Sequence, residues 1–272
     1  MPAASELRFR FGRNWSRFLR RLTPERIAIA EDSLKDMLGV ADLTDNSFLD
    51  VGCGSGLFSL AARRLGATTH SFDYDADSVA CTVELKGRYF PGDDRWTIER
   101  GSALDDAYLR SLGTYDVVYA WGVLHHTGDM WRAIDLVARR VAVGGRLFLA
   151  IYNDQGLKSR FWREVKRACN TLPRFAQVPF AIVVMAPFEV RLLLKALIAG
   201  QPGRYFRNWT HYQSARGMDH WHDTLDWVGG YPFEVATGPE LIAFCVRRGF
   251  SVNRVEASKG LGCNQLVFTR VE

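Results

Sequence analysis

The feature that most constrains the fold is an alternation of short apolar runs with longer amphipathic ones between Asn46 and Asn153. The short runs are rich in β-branched and aromatic residues, which is typical of strands; they are SFLDVG, TTHSFD, RWTIER, YDVVYAW and GRLFLAIY. The longer runs have helical periodicity; they are GLFSLAARRLG, ADSVACTVELKGRYF, ALDDAYLRSLG and DMWRAIDLVARRVAVGG. This alternation predicts a parallel sheet with helices on both of its faces.

The alternation returns near the end of the sequence. The run PELIAFCVRRGF predicts a helix that stops at Gly249, because glycine commonly follows the last helical residue. Two strand-like runs follow, SVNRVEA and QLVFTRV, and the short segment SKGLGCN between them predicts an antiparallel hairpin. We therefore expect the α/β class, with a doubly wound, seven-stranded and mostly parallel sheet.

Between Asp154 and Glu234 the alternation stops, and aromatic residues and Pro/Gly breaks become frequent. This composition predicts a large, mainly helical insertion after the fifth strand. The expected organisation has four parts: an N-terminal helical cap over 1–45, an α/β core over 46–153, an inserted helical lid or substrate subdomain over 154–235, and a closing helix and hairpin over 236–272.

The positive charge is concentrated at the start of the sequence. The formal net charge is +5, and residues 1–26, with seven arginines and two glutamates, carry a charge of the same size. Such an arm fits contact with a membrane surface, a nucleic acid or an acidic substrate. The simpler interpretation is the solvated face of an N-terminal helix.

A second segment is also a candidate for contact with a membrane. Residues 175–188 are uncharged and follow six basic residues, but the apolar stretch is too short and too often interrupted to cross a bilayer. A buried helix of the insertion is the favoured interpretation, and peripheral contact with a membrane surface is the alternative.

The five cysteines lie far apart and form no CxxC pair. This argues against a disulfide scaffold and a zinc ribbon, and it fits a reducing compartment. Residues 1–26 lack the continuous apolar stretch of a signal peptide. We expect a cytoplasmic protein, with membrane association as the alternative.

The most informative motif is Asp50-Val-Gly-Cys-Gly-Ser-Gly56, at the end of the first strand and the start of a helix. Glycines at Gly52, Gly54 and Gly56 allow a tight turn and a close backbone approach by a ligand. Cys53 fits this loop as a small side chain rather than as a nucleophile. A second acid ends the next strand, at Asp73, where it can accept both hydroxyls of a ribose.

With these residues the sequence resembles the class I S-adenosylmethionine (SAM)-dependent methyltransferases, over 47–153 and again over 238–271. The resemblance implies SAM as cofactor, with Asp50 and the loop at its methionine moiety, Asp73 at its ribose and Tyr74 beside its adenine. It also implies cofactor positions after the third and fourth strands: Ser102, Ala103, Trp121 and Gly122. Ser102 stands where the family often has an acid.

The residues at the end of the fourth strand narrow the class of substrate that we expect. Family members that methylate the amino groups of nucleobases carry an Asp/Asn-Pro-Pro-aromatic run here, whereas this sequence has Ala120-Trp-Gly-Val-Leu-His-His126. The Leu-His-His stretch resembles the small-molecule branch and disfavours a nucleic-acid substrate. Because a neutral imidazole can take a proton from a hydroxyl or thiol, His125 and His126 are the candidate bases. The alternative is that one or both cap the loop.

Further candidates for the acceptor site follow the fifth strand and lie in the insertion. Tyr152 and Asn153 reach the sheet edge where ligands of such folds bind, with ordinary strand-end packing as the alternative. His220, Trp221 and Tyr231 belong to an aromatic stretch that predicts a lid over the acceptor. Because His220 is two residues from the next histidine, a poor spacing for metal ligands on a helix, we expect no metal.

The predicted function is SAM-dependent methyl transfer to an oxygen or sulfur atom of a small lipophilic or aromatic acceptor. One alternative keeps the SAM site but transfers another part of the cofactor. A second alternative is a non-catalytic adapter of the same fold that binds RNA or protein through the basic arm. A third is a nicotinamide-dependent dehydrogenase, since a GxGxG loop is shared with that class.

Overall fold

The computed structural model describes residues 15, 19, 22–210, 224 and 227–272. The described residues fall into two compact units. The first is drawn from Arg10–Ser159 and Phe233–Glu272, and the second from Arg160–Pro232.

A seven-stranded sheet forms the centre of the first unit, in the order β3-β2-β1-β4-β5-β7-β6. Its strands are β1 Ser47–Val51, β2 Thr68–Asp73, β3 Trp96–Arg100, β4 Tyr115–Trp121, β5 Val141–Tyr152, β6 Phe250–Glu256 and β7 Cys263–Arg270. Strands β1 to β5 pair in parallel, while β7 is antiparallel to both β5 and β6. The predicted fold class and the antiparallel hairpin are confirmed.

Helices cover both faces of this sheet and enclose two apolar cores. Their bounds are α1 Pro24–Leu38, α2 Leu57–Arg64, α3 Ala76–Tyr89, α4 Asp106–Ser111, α5 Met130–Ala138 and α9 Gly238–Val246. Strand β4 shows the division, because alternate side chains of a strand point to opposite faces. Val117 and Tyr119 pack into one core, and Val118 and Ala120 into the other.

Helix α1 is the described part of the predicted N-terminal helical region. Pro24 opens it, where a missing N–H costs nothing, and Gly39 ends it in the left-handed conformation with φ +65°. Its buried side chains recur at helical spacing and join the core on the α2 side of the sheet. This packing, rather than intrinsic propensity, accounts for the position of α1 on the sheet.

The predicted helix over residues 129–145 is too long. Helix α5 ends at Ala138, and β5 begins at Val141, which pairs with Tyr115 of β4. The residues in between turn the chain, and the ladder shifts register between Tyr115 and Val117. The apolar run was shared between two elements, so its periodicity did not mark the boundary.

The second unit is mainly helical, as predicted for the insertion. Its helices are α6 Leu157–Thr171, which begins in the first unit, α7 Arg174–Ile198 and α8 Pro202–Thr210. Trp162 packs against Trp227 with ring centroids 5.2 Å apart. The fully buried Lys166 donates to the carbonyl of Trp227 and lies 4.2 Å from the centre of its ring.

The favoured interpretation of residues 175–188 as a buried helix is wrong. They belong to α7, whose apolar side chains are largely exposed: Phe175 is 83% and Val183 is 71% accessible to solvent. No helix in the described part of the chain is long and apolar enough to cross a membrane.

Candidate functional site

The glycine loop joins β1 to α2 at the carboxyl edge of the sheet. Gly52, Gly54 and Gly56 all have positive φ, at +76°, +55° and +79°. At Gly52 a Cβ atom would lie 2.4 Å from Cγ1 of Val123, so neither the conformation nor the space accepts another residue. The loop is anchored by the N–H groups of Gly52 and Cys53, which both donate to the carbonyl of Phe72 at the end of β2.

Asp73 ends β2 and is joined directly to this loop. One carboxylate oxygen accepts from the N–H of Gly54 at 3.0 Å, and the other accepts from the N–H of Asp75 at 2.8 Å. The side chain is only half-buried. A carboxylate has about four lone-pair directions, so both oxygens keep the capacity to accept from two neighbouring hydroxyls.

Asp50 lies beneath the loop at the end of a buried hydrogen-bond chain. The indole N–H of Trp96 donates to Ser71 at 2.9 Å, Ser71 donates to Ser59 at 2.8 Å, and Ser59 donates to the carboxylate of Asp50 at 2.5 Å. Burial raises the pKa of Asp50 to about 7, against the lowering effect of the Ser59 hydrogen bond. No sequence motif pointed to the three partners, which lie on α2, β2 and β3.

The positions predicted to flank the adenine have mixed surroundings. Tyr74 is half-exposed and has the guanidinium of Arg100 5.7 Å from its ring centre. The hydroxyl of Ser102 accepts from the N–H of Leu104 at 3.2 Å, so it stabilises its own turn. Ala103 is buried against the core on the α5 side of the sheet.

The end of β4 is held by β5 and β7. The indole N–H of Trp121 donates to the side chain of Gln265 on β7 at 2.8 Å. Gly122 has φ +74° and donates its N–H to the carbonyl of Ala150 on β5. These contacts place the next residues, the Leu124–His126 turn of 3₁₀ helix, at the same edge as the glycine loop.

The two histidines of this turn have different surroundings. His125 is fully buried, and its Nδ1 accepts from the N–H of Tyr152 at 3.4 Å. His126 is half-buried, with its ring centre 4.4 Å from that of His125 and 5.7 Å from that of Tyr152. Phe233 completes the cluster, 5.3 Å from Tyr152. The burial of His125 favours the structural alternative for it and leaves His126 as the better candidate base.

Glu234 fixes the same turn from a distant part of the sequence. Its N–H donates to the carbonyl of His125 at 3.0 Å, and its carboxylate accepts from the N–H groups of Gly128 and Met130. It thereby caps α5, since Asp129 at the cap position makes no side-chain cap. Burial raises the pKa of Glu234, against the lowering effect of these two N–H donors.

Asn153 is engaged with the loop between β6 and β7. Its amide donates to the carbonyl of Ser258 at 2.9 Å, and its oxygen accepts from the buried amide of Asn264 at 3.1 Å. Asn264 also donates to the carbonyl of Ala236 at 3.1 Å. These contacts favour the strand-end role for Asn153 over a substrate role.

The structure does not test the three residues that were predicted to line a lid. His220 and Trp221 lie outside the described residues. Tyr231 is described and belongs to the second unit. A substrate role for these residues stays a prediction.

The sheet order and the glycine loop define the Rossmann-like fold of the class I methyltransferases. The family described as "Methyltransferase domain" matches residues 9–223. The chain belongs to this family.

Curated relatives match a smaller part of the chain. "Ubiquinone biosynthesis O-methyltransferase" of Xanthomonas oryzae pv. oryzae (strain PXO99A) is 31% identical over 112 residues, or 41% of this chain and 45% of that protein. "Ribosomal protein L11 methyltransferase" of Methylococcus capsulatus (strain ATCC 33009 / NCIMB 11132 / Bath) is 44% identical over 116 residues, or 42% of this chain and 36% of that protein. The chain thus spans less than half the length of these two relatives.

Solved structures share the fold at low sequence identity. The magnesium protoporphyrin IX methyltransferase of Synechocystis PCC 6803, with bound S-adenosylhomocysteine (SAH), matches with a TM-score of 0.53 at 15% identity, covering 90% of this chain and 83% of that one. An O-methyltransferase family protein from Burkholderia thailandensis matches with a TM-score of 0.52 at 12% identity, covering 90% and 57%. At such identities the likeness shows the fold alone.

Proposed function

We propose that the chain binds SAM at the glycine loop and transfers its methyl group to an oxygen or sulfur atom of a small acceptor. The observation that carries this proposal is the hydrogen bond between Gly54 and Asp73. It joins a loop that only glycine can form to an acid with capacity for two hydroxyls. That combination fits a ligand with a ribose at one end and an extended polar chain at the other.

The residues around the loop fit the cofactor. Gly52 and Gly56 allow the loop to turn tightly against its neighbours, since a Cβ atom at either position would collide with Val123 or Thr82. Asp73 is half-buried, so its oxygens are accessible to ribose hydroxyls. When bound, SAM supplies a methyl group activated by a positively charged sulfur.

The residues at the end of β4 and β5 would position the acceptor. His126 is the base that takes the proton from the acceptor hydroxyl or thiol, since it is the half-buried imidazole of the turn. The turn is held by Tyr152 of β5, whose N–H donates to the ring of His125, and by Glu234, whose N–H donates to the carbonyl of His125. The carboxylate of Glu234 also accepts from the N–H of Met130 at the start of α5. Tyr152, with the buried Phe233 packed against it, forms an aromatic wall beside the two imidazoles.

The aromatic wall favours an acceptor that is itself aromatic or lipophilic. Flat apolar molecules gain from ring stacking and from leaving water. A curated relative is named for ubiquinone biosynthesis, and a solved structure of the same fold is named for magnesium protoporphyrin IX; both names fit this class of acceptor. Another relative is named for a ribosomal protein, so a macromolecular acceptor is the second candidate.

Cofactor binding is tested by calorimetry with SAM on the full chain. Asp73→Ala is expected to weaken binding by about tenfold or more, because two hydrogen bonds to the ribose are lost. Asp77→Ala is the matched control, since it removes a neighbouring but exposed carboxylate. Equal affinities for both variants would contradict the assignment of Asp73, and no SAM binding by the wild type would favour the adapter.

The transfer is tested with methyl-labelled SAM and a panel of phenols, quinols, thiols and a ribosomal protein fraction. His126→Ala is expected to lower kcat by about a hundredfold or more with SAM affinity unchanged. His70→Ala, in the middle of β2 where the imidazole contacts Glu99, is expected to have no effect. Labelled product together with SAH supports methyl transfer. Cofactor turnover without SAH would favour transfer of another part of SAM.

A further inference from the structure

The outer side of α7 carries a continuous apolar stripe. Its residues recur mostly three or four positions apart, so they lie on one side of the helix; they are Phe175, Pro179, Ile182, Val183, Ala186, Val190, Leu194 and Leu197. Every one of them is exposed, and Val190, Leu194 and Leu197 each leave at least half of their surface accessible to solvent. Monomeric soluble proteins rarely expose so much connected apolar surface without a partner for it.

The opposite side of α7 is the one that packs within the second unit. Ala181 is buried, and Phe188 contacts Trp162 of α6 with ring centroids 5.8 Å apart. Glu189 accepts from the hydroxyl of Tyr205 on α8 at 2.9 Å. Ala181 and Phe188 face away from the stripe, whereas Glu189, seven residues after Ile182, lies at its edge. Among the described residues these contacts leave the stripe itself exposed.

The segment that contains the stripe has an excess of positive charge. Residues 160–210 contain nine lysines and arginines but only Glu164 and Glu189 as acids. Arg191 and Lys195 are both exposed and lie outside the stripe, because consecutive residues of an α-helix point about 100° apart. Their long side chains can keep the charge at the headgroup level while the apolar side chains enter the acyl boundary.

We propose that this stripe docks on the surface of a lipid bilayer that contains anionic lipids. Charge decides between the occupants. A second copy of the chain would bring together two helices that each carry three basic residues and one acid, whereas an anionic bilayer complements their net positive charge. This inference does not depend on the proposed methyl transfer.

The test is sedimentation of the full chain with vesicles of phosphatidylcholine alone and of phosphatidylcholine mixed with phosphatidylglycerol. The wild type is expected to bind the mixed vesicles and to be released by added salt. Val183→Glu with Val190→Glu is expected to lower its partition coefficient by about tenfold or more, because two charges enter the apolar stripe.

A matched variant carries the same two charges off the stripe, as Val178→Glu with Leu192→Glu. These side chains are 42% and 51% exposed, against 71% and 53% for Val183 and Val190, so both pairs of glutamates remain at the surface. Binding of the control variant is expected to stay within about twofold of the wild type. Circular dichroism and calorimetric SAM affinity report folding of each variant. The proposal is overturned if the wild type does not bind the mixed vesicles or if both variants lose binding equally. It is equally overturned if sedimentation velocity shows a dimer that only the stripe variant disrupts.

Discussion

Replacing Ser59 by alanine removes the hydroxyl that donates to the buried carboxylate of Asp50. When Asp50 is protonated, the change costs one neutral hydrogen bond, about 1 kcal/mol. When Asp50 is ionised, the lost bond was charge-assisted and the loss rises to about 2–3 kcal/mol. The destabilisation by Ser59→Ala is therefore expected to grow with pH.

The pH range follows from the raised pKa of Asp50. The folded-state pKa is about 7, while the ordinary value is 3.8. The folded chain thus holds a proton that the unfolded chain has released. The retained proton of Asp50 makes its full contribution to the free energy of unfolding below pH 3.8. This contribution, about 4 kcal/mol in total, is lost as the pH rises from there through 7. The unfolding free energy of the wild type is expected to fall over this range, all else equal.

Urea denaturation at pH 5.5 and pH 8.5 measures both effects. Thr82→Val is the control, because the Thr82 hydroxyl is buried but donates to a thiol sulfur and carbonyls rather than to a carboxylate. The loss of unfolding free energy caused by Thr82→Val should be the same at both pH values. In an Asp50→Asn background the pH dependence of Ser59→Ala should disappear. A cost for Ser59→Ala that is equal at both pH values would refute the reasoning.

Three further substitutions test the contacts that build the site. Gly52→Ala is expected to cost about 3 kcal/mol in urea denaturation, from its positive φ and the contact with Val123, and less in a Val123→Ala background. Glu234→Ala is expected to cost about 2 kcal/mol of the same free energy, since α5 loses its cap, with Glu234→Gln in between. Asn264→Ala leaves the buried carbonyl of Ala236 without this donor and is expected to cost about 3 kcal/mol.

The sheet could be predicted because its signals are local. Each strand of the first unit is a short apolar run bounded by turn residues, and the right-handed rule for parallel connections then limits the strand order. The glycine loop was also local, since positive φ at Gly52, Gly54 and Gly56 follows from residue type. The prediction of the α5–β5 boundary was wrong, because one apolar run is divided between the helix and the strand.

The contacts that complete the site could not be predicted from local sequence patterns, because they join residues from different elements. The chain from Trp96 to Asp50 passes through two serines on neighbouring elements, and serine is too common for spacing to single out. The exposure of α7 was missed for a related reason. An uncharged run predicts burial on average, but only the packing shows which side of the helix has a partner.

The adjacent histidines show how one local motif can divide into two roles. Successive side chains of a 3₁₀ turn point about 120° apart, so only one of the pair can face the interior. His125 takes that position because the N–H of Tyr152 and the N–H of Glu234 both bind it, one at its ring and one at its carbonyl. His126 is left half-buried as a result. The position of the proposed base is thus set by Tyr152 and Glu234, which lie 26 and more than 100 positions away in the sequence. For this reason the Leu-His-His stretch alone indicated a site but not which of its histidines would act as the base.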